Sequence, residues 1–131
     1  QGTYTINTPR TQAAMGWIGG KTVVLQGVEM AVTTRNATVA VQSLDGNPIG
    51  QSRNIMISLG ARSMPKPDAQ TPIYSEPVEG KLSIAAPQGL KLRVWDAGAG
   101  KMRVVPTPYL KGRYSVVLDN ALRSYWLFLS A

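Results

Sequence analysis

The chain has 131 residues, with 14 lysines and arginines against 7 aspartates and glutamates, and so a net charge of +7. It contains no cysteine and no histidine, which excludes a disulfide framework, a thiolate metal site and the commonest general base of hydrolases. Hydrophobic residues make up 44% of the chain, and no apolar run reaches the length of a membrane span. We therefore expect residues 1–131 to form one folded module with no membrane partner.

Apolar and polar residues alternate along most of the chain, which is the pattern of half-buried β-strands. Turn residues such as the Asp-Gly-Asn-Pro sequence at 45–48 separate these segments. A short apolar segment at 14–18 precedes two glycines, and the proline-rich segment 62–79 is expected to be a surface loop. About nine strands are predicted, over residues 3–7, 22–34, 37–44, 55–59, 82–86, 90–95, 102–105, 114–118 and 125–129.

The pairing of two of these strands can be predicted from their spacing. Residues 22–34 and 37–44 are expected to form a hairpin around Arg35 and Asn36, with the valines and methionine of one strand facing the valines of the other. Short strands at regular spacing with turns between them are typical of an all-β, antiparallel β-sandwich, either jelly-roll or Ig-like. Lysines and prolines would protect its open edges.

A basic residue, a spacer and an arginine occur three times at a spacing of ten, in KLRVWD at 91–96, KMRV at 101–104 and KGRY at 111–114. Because side chains alternate along a strand, each lysine shares a face with its arginine. The spacing predicts three neighbouring strands with one basic outer face, which would attract an anionic ligand. Its members are Lys91, Arg93, Lys101, Arg103, Lys111 and Arg113.

Aromatic residues are the other candidates for ligand binding, because flat rings stack on the apolar faces of sugars. Trp95 shares the face of Lys91 and Arg93 by strict alternation, whereas a bulge at the following turn would point the ring inward. Tyr74 and Tyr109 lie in proline-rich settings, where they either form a binding rim or close the end of the sandwich. Trp17 completes the set of candidates, and core packing is the alternative for each of them.

Catalysis by this chain is not expected. Glu76 and Glu79 form the closest carboxylate pair, but their odd separation would place them on opposite faces of an extended strand. No cofactor is expected; a structural calcium ion would require Asp45, Asp96 or Asp119, and no dense acidic loop supports one. Nucleic-acid binding is an alternative that the charge allows, although no recognition helix or stacked aromatic sheet motif is visible.

Four stretches, in chain order, carry a resemblance to a known family: NTPRTQAAMGWIGGK at 7–21, VQSLDGNPI at 41–49, PIYSEPVEGKL at 72–82 and RSYWLFL at 123–129. They resemble the non-catalytic C-terminal β-sandwich domain that follows the (β/α)8 catalytic barrel in certain bacterial clan-A glycoside hydrolases. The resemblance covers nearly the whole chain. Similar domains often carry an aliphatic residue at the position of Trp95, so a tryptophan here implies either a substituted core or a gained sugar platform.

The resemblance implies a carbohydrate-binding or accessory module of a secreted or cell-envelope enzyme that degrades polysaccharides. Its partners would be a polysaccharide and an upstream catalytic domain in the same parent chain. The alternative is a purely structural domain that supports the barrel and binds no sugar. The segment 8–12 is expected either to be structural or to contact the catalytic domain.

Overall fold

The computed structural model describes residues 3–61, 78–96, 100–118 and 126–131. Within these residues the chain forms twelve β-strands and one short 3-10 helix at Ile49–Gln51. The strands are β1 (Thr3–Asn7), β2 (Thr11–Gly16), β3 (Lys21–Val24), β4 (Val28–Val32), β5 (Ala37–Ser43), β6 (Asn54–Ala61), β7 (Gly80–Ala85), β8 (Lys91–Asp96), β9 (Lys101–Val105), β10 (Tyr109–Leu110), β11 (Arg113–Leu118) and β12 (Trp126–Ser130).

The strands form two antiparallel sheets. The large sheet has the order β1-β2-β5-β6-β12-β8-β9, and the small sheet has the order β10-β11-β7-β4-β3. Their inner faces pack together through alternate residues, as the burial of Val28, Met30 and Val32 against exposed Glu29 and Ala31 illustrates. The all-β, antiparallel sandwich expected from the sequence is therefore confirmed.

The twelve strands exceed the nine that were predicted for three local reasons, of which one is the two-residue strand β10, since no predicted strand covers it. The predicted strand 22–34 is divided into β3 and β4 by a turn at Gln26 and Gly27, with β3 pairing back on β4. Residues 11–16 form a further strand, β2, although the sequence shows only the apolar segment that begins at residue 14. Short strands and polar strand residues give a weak alternating signal, and this is why the sequence underestimates their number.

The predicted hairpin around Arg35 and Asn36 is wrong. β4 pairs with β3 and β7, while β5 pairs with β2 and β6, so the two strands belong to different sheets. Their apolar residues do meet, but across the sandwich core and not along a ladder. Alternation identifies the buried face of each strand equally well in both arrangements, and it therefore does not identify the hydrogen-bonded partner.

The segment 8–12 has a structural role within the described residues. The Thr8 hydroxyl donates to the carbonyl oxygen of Thr11 at 2.9 Å and accepts from the Thr11 amide at 3.0 Å, which fixes the β1–β2 turn. The buried Gln12 side chain donates to the Thr8 carbonyl at 3.2 Å and accepts from the Gly27 amide at 2.8 Å. This side chain joins β2 to the β3–β4 turn of the opposite sheet, so it satisfies polar groups that would otherwise be buried without a partner.

Within the described part of the chain, no helix has the length and apolar character that a membrane span requires.

Candidate functional site

The outer face of the large sheet carries an exposed aromatic pair. Trp95 in β8 is 43% exposed and Trp126 in β12 is 57% exposed. In the β12–β8 ladder Leu127 lies opposite Val94, and continuing this register by one residue places Trp126 beside Trp95. Directly opposed side chains in an antiparallel pair are about 4.5–5.5 Å apart at Cβ, so the two indoles form one platform.

Apolar side chains extend this platform towards the edge of the sheet. Met102 of β9 lies opposite Trp95 and is exposed, and Val104 lies opposite Arg93 and is 55% exposed. Phe128 of β12 lies opposite Arg93 in the β12–β8 ladder and is half-buried. A contiguous exposed apolar patch of this kind marks an interaction site on a folded domain, since single scattered apolar residues are the usual surface pattern.

The charge on this face is entirely positive. Among the described residues whose side chains lie on the outer face of the large sheet, the charged ones are Lys91 and Arg93, and none is acidic. Arg93 is half-buried, and its Nη1 donates to the Ser130 hydroxyl at 3.2 Å. Arg93 and Trp95 are two residues apart in β8, so their Cα atoms are separated by about 7 Å along the strand. A cation therefore borders the aromatic platform.

The predicted basic face on three neighbouring strands is wrong. In the β8–β9 ladder Val94 lies opposite Arg103, and Asp96 lies opposite Lys101. Opposed residues share a face, so Lys101 and Arg103 are on the inner side of the large sheet, away from Lys91 and Arg93.

The third copy of the basic repeat belongs to the small sheet. Lys111, with φ of 55°, forms the β10–β11 turn, and Arg113 starts β11. The Arg113 guanidinium donates to the Ser83 hydroxyl at 2.6 Å and to the Ser83 carbonyl at 3.1 Å. These contacts tie two strands of the small sheet together, so the structure places Arg113 in a fixed position far from the aromatic pair.

The remaining aromatic candidates do not join the platform. The Tyr109 ring packs against Tyr114 with ring centroids 4.4 Å apart, and its hydroxyl donates to the Ala86 carbonyl at 3.0 Å. It therefore helps to close the end of the small sheet. Trp17 is half-buried after β2, which three strands separate from β8. Tyr74 lies outside the described residues.

Trp126 was not among the sequence-based candidates, although a signal for it exists. In the segment 126–130 the two leucines, Leu127 and Leu129, are fully buried, so Trp126 and Phe128 must point outward. What the sequence does not show is that β12 lies next to β8, because the pairing of distant strands is decided by tertiary packing.

A concave feature lies on the outer face of the small sheet. It is an open cavity of about 210 Å³, bordered by Glu29, Lys81, Ser83 and Ser115 among others. Small-molecule sites usually enclose about 300–1,000 Å³ with an apolar lining and convergent polar groups. The cavity is smaller than that range and carries both charges, so the aromatic platform is the better candidate.

The calcium candidates give no cluster in the described residues, where no three acidic side chains come together. Asp45 is instead engaged by its own loop. Its Oδ1 accepts from the hydroxyls of Ser43 and Ser52 at 3.0 and 2.9 Å, and its Oδ2 accepts from the Arg53 amide at 2.9 Å. The side chain of Asp96 and all of Asp119 lie outside the described part of the structure.

These hydrogen bonds make stability depend on pH. The bond from the Arg53 amide is the main cause that holds the pKa of Asp45 well below its ordinary value. A depressed folded-state pKa stabilises the fold above the unfolded pKa of about 4, and this contribution is lost as the pH falls towards the folded value. We expect Asp45→Asn to lower the Tm at pH 7, and the difference from the wild type to shrink steadily below about pH 4. Thermal unfolding of both proteins between pH 2 and 7 measures this; a Tm difference that is independent of pH would contradict it.

No family model matches this chain, and no curated protein or solved structure matches it either. By its fold and the geometry of its outer face, the chain is a β-sandwich with an exposed aromatic platform on its larger sheet.

Proposed function

We propose that this chain is a non-catalytic carbohydrate-binding module of a polysaccharide-degrading enzyme, which binds glycan by stacking sugar rings on Trp95 and Trp126. The observation that carries the proposal is that Trp95 and Trp126 occupy neighbouring register positions on the same outer face and are about half exposed. Tryptophan provides a large, rigid contact surface that loses little conformational entropy on binding. Two adjacent rings suit a ligand with flat, repeating apolar faces, which is the chemistry of a sugar chain.

The parent enzyme that we propose is a secreted or cell-envelope bacterial glycoside hydrolase with its catalytic domain upstream of this module. The four resembling stretches support this context. In such an enzyme the module would hold the catalytic domain near its polymeric substrate and raise the local concentration of cleavable bonds.

A structural role is the second candidate, and one observation favours it. Met102 and Val104 extend the exposed patch with aliphatic side chains, which suit a protein neighbour better than a sugar. Under this alternative the platform is the surface on which the catalytic barrel of the same parent rests, and the isolated module has no affinity for glycan.

Affinity electrophoresis of the 131-residue chain distinguishes these candidates. The chain is run through gels that contain a neutral or an acidic polysaccharide, at low and at high salt. Retardation that persists at high salt is expected, because stacking is not screened by ions. Migration at the same rate in every gel, with and without polysaccharide, would support the structural role. Salt-sensitive retention of single-stranded nucleic acid without any glycan retention would favour nucleic-acid binding.

Arg93 should add a preference for acidic or sulfated glycans to this binding. Exposed ion pairs contribute about 0.2–1 kcal/mol, so Arg93→Gln is expected to weaken binding of an acidic glycan by at most about five-fold and to leave a neutral glycan unaffected. Isothermal titration calorimetry at low salt measures both affinities. Lys101→Gln is the matched control, because it removes the same charge from the other side of the large sheet. An equal effect of the two variants would show that net charge, and not Arg93, sets the preference.

A further inference from the structure

The aromatic pair is part of a longer row of side chains that crosses the large sheet from edge to edge. The register of each ladder places one outward residue of every strand opposite the next. We call this set the Trp row, and in spatial order it consists of Ile6, Ala13, Ala40, Ser58, Trp126, Trp95 and Met102. Because Ala13 is buried, the part of the row that a ligand could follow runs from Ala40 on β5 to Met102 on β9, and it therefore extends beyond the tryptophans.

The middle of the Trp row is unusually small. Ala40 and Ser58 are partly exposed and occupy two neighbouring strands beside the bulky Trp126, whereas Ala13 on the next strand is only 1% exposed. Gly60 lies two residues from Ser58 on the same face, and a Cβ added there would meet no atom within 4 Å. The small side chains of Ala40 and Ser58, together with Gly60, therefore leave a recess beside the platform. The backbone conformation of Gly60 is not left-handed and does not require a glycine at this position.

Neutral polar groups border this recess. Thr38 and Gln42 lie on either side of Ala40 along β5, on the same outer face, and both are exposed. A hydroxyl and an amide supply donors and acceptors that match sugar hydroxyls. By contrast, the outward residues that follow the tryptophans two positions along β12 and β8 are Phe128 and Arg93. Their large side chains fill that side of the platform.

We infer that a glycan chain lies across the strands of the large sheet, stacked on Trp95 and Trp126 and continuing over Ser58 and Ala40, so that the module binds within a chain and not at its end. This inference rests on the proposed function and specifies how the same site is used. Three strand spacings separate β5 from β8, a path of about 14 Å at about 4.8 Å per spacing. That path accommodates several consecutive sugar rings.

The length of the ligand tests the inference. Oligosaccharides of two to six sugar units, prepared from a polysaccharide that retards the chain, are titrated calorimetrically. We expect affinity to rise at least ten-fold between the shortest and the longest, since only longer ligands reach beyond the tryptophans. Blocking the reducing end by chemical reduction should leave the affinity of the longest ligand unchanged.

Variants of the recess provide the second arm. Ala40→Leu fills the floor and is expected to weaken the longest oligosaccharide at least five-fold, with no effect on the disaccharide. Ser58→Leu is expected to do the same and serves as a replacement if the first variant folds poorly. Ala31→Leu, the same change on the outer face of the small sheet, is the matched control and should bind like the wild type.

The possible outcomes separate the two proposals. Retardation by polysaccharide with equal affinity for all lengths, and no effect of Ala40→Leu, would overturn the cross-strand path while the proposed function stands. Loss of long-ligand affinity in Lys91→Ser, with Ala40→Leu unaffected, would also overturn it, because the chain would then run along β8. Absence of binding to any glycan would overturn both.

Discussion

Replacing Trp95 and Trp126 together by alanine is expected to abolish retardation by polysaccharide while leaving the fold intact. Truncating a tryptophan at the centre of a binding site typically costs about 2 kcal/mol, which corresponds to roughly a 30-fold loss of affinity for each single variant. Because the two rings are adjacent, the losses should not simply add. Isothermal titration calorimetry of the two single variants and the double variant measures them.

The matched control is Leu110→Ala, which removes another strongly exposed apolar side chain, on the small sheet. It should bind like the wild type. Circular dichroism and the Tm must show that the tryptophan variants are folded, and we expect little change because both side chains lie on the outer face. Wild-type affinity in a folded double variant would rule out the platform as the binding site.

The largest effect on stability is expected at Gly80, the first residue of β7. Its φ is +147°, and a Cβ added there would lie 2.4 Å from the Ala31 carbonyl oxygen and 2.7 Å from the Val32 Cα. These are backbone atoms of the neighbouring strand, so they cannot move aside without separating β4 from β7. Gly80→Ala should therefore lower the free energy of unfolding by about 3 kcal/mol or more, from backbone strain and steric overlap combined. Urea denaturation measures the change as a lower midpoint.

Gly60→Ala is the informative comparison for Gly80. Gly60 also lies within a strand, but it has open space around the added Cβ and no positive φ. Alanine should stabilise the fold there by about 0.5–1 kcal/mol, because glycine within a strand loses more conformational freedom on folding. If Gly80→Ala unfolded at the same urea concentration as the wild type, the close approach of the β4 and β7 backbones would be incorrect.

The sequence predicted the strands better than it predicted their partners. Alternation in segments such as 55–59 and 114–118 correctly separates core-facing from outward-facing positions, because one face of each strand packs in the core. The same alternation led to the wrong hairpin between residues 22–34 and 37–44. Burial against the opposite sheet and pairing within one sheet produce the same hydrophobic period, and only the turn geometry and the rest of the fold distinguish them.

The basic repeat shows why regular spacing does not determine a face. A spacing of ten keeps Lys91 and Lys101 both odd-numbered. The β8–β9 register, however, opposes an odd residue to an even one, as Trp95 to Met102. Lys101 is therefore on the opposite face from Lys91. The parity of the connecting turn decides this outcome, and the repeat itself carries no information about it.

The candidate site was predictable only in part. Alternation from Lys91 and Arg93 correctly placed Trp95 on the outer face, and the bulge that would have turned it inward is absent from the described part of β8. The partner ring was not predictable, because Trp126 is distant in sequence and reaches Trp95 only through the insertion of β12 between β6 and β8.

The central position of β12 has a consequence for biosynthesis. Translation produces residues 126–130 after all the other strands, yet they form the bridge between the two parts of the large sheet. Until they leave the ribosome, β6 and β8 each have an unsatisfied edge, which is a hazard for aggregation. Trp126 arrives with this last strand, so only a molecule that has been fully translated as far as β12 and correctly closed can present both rings.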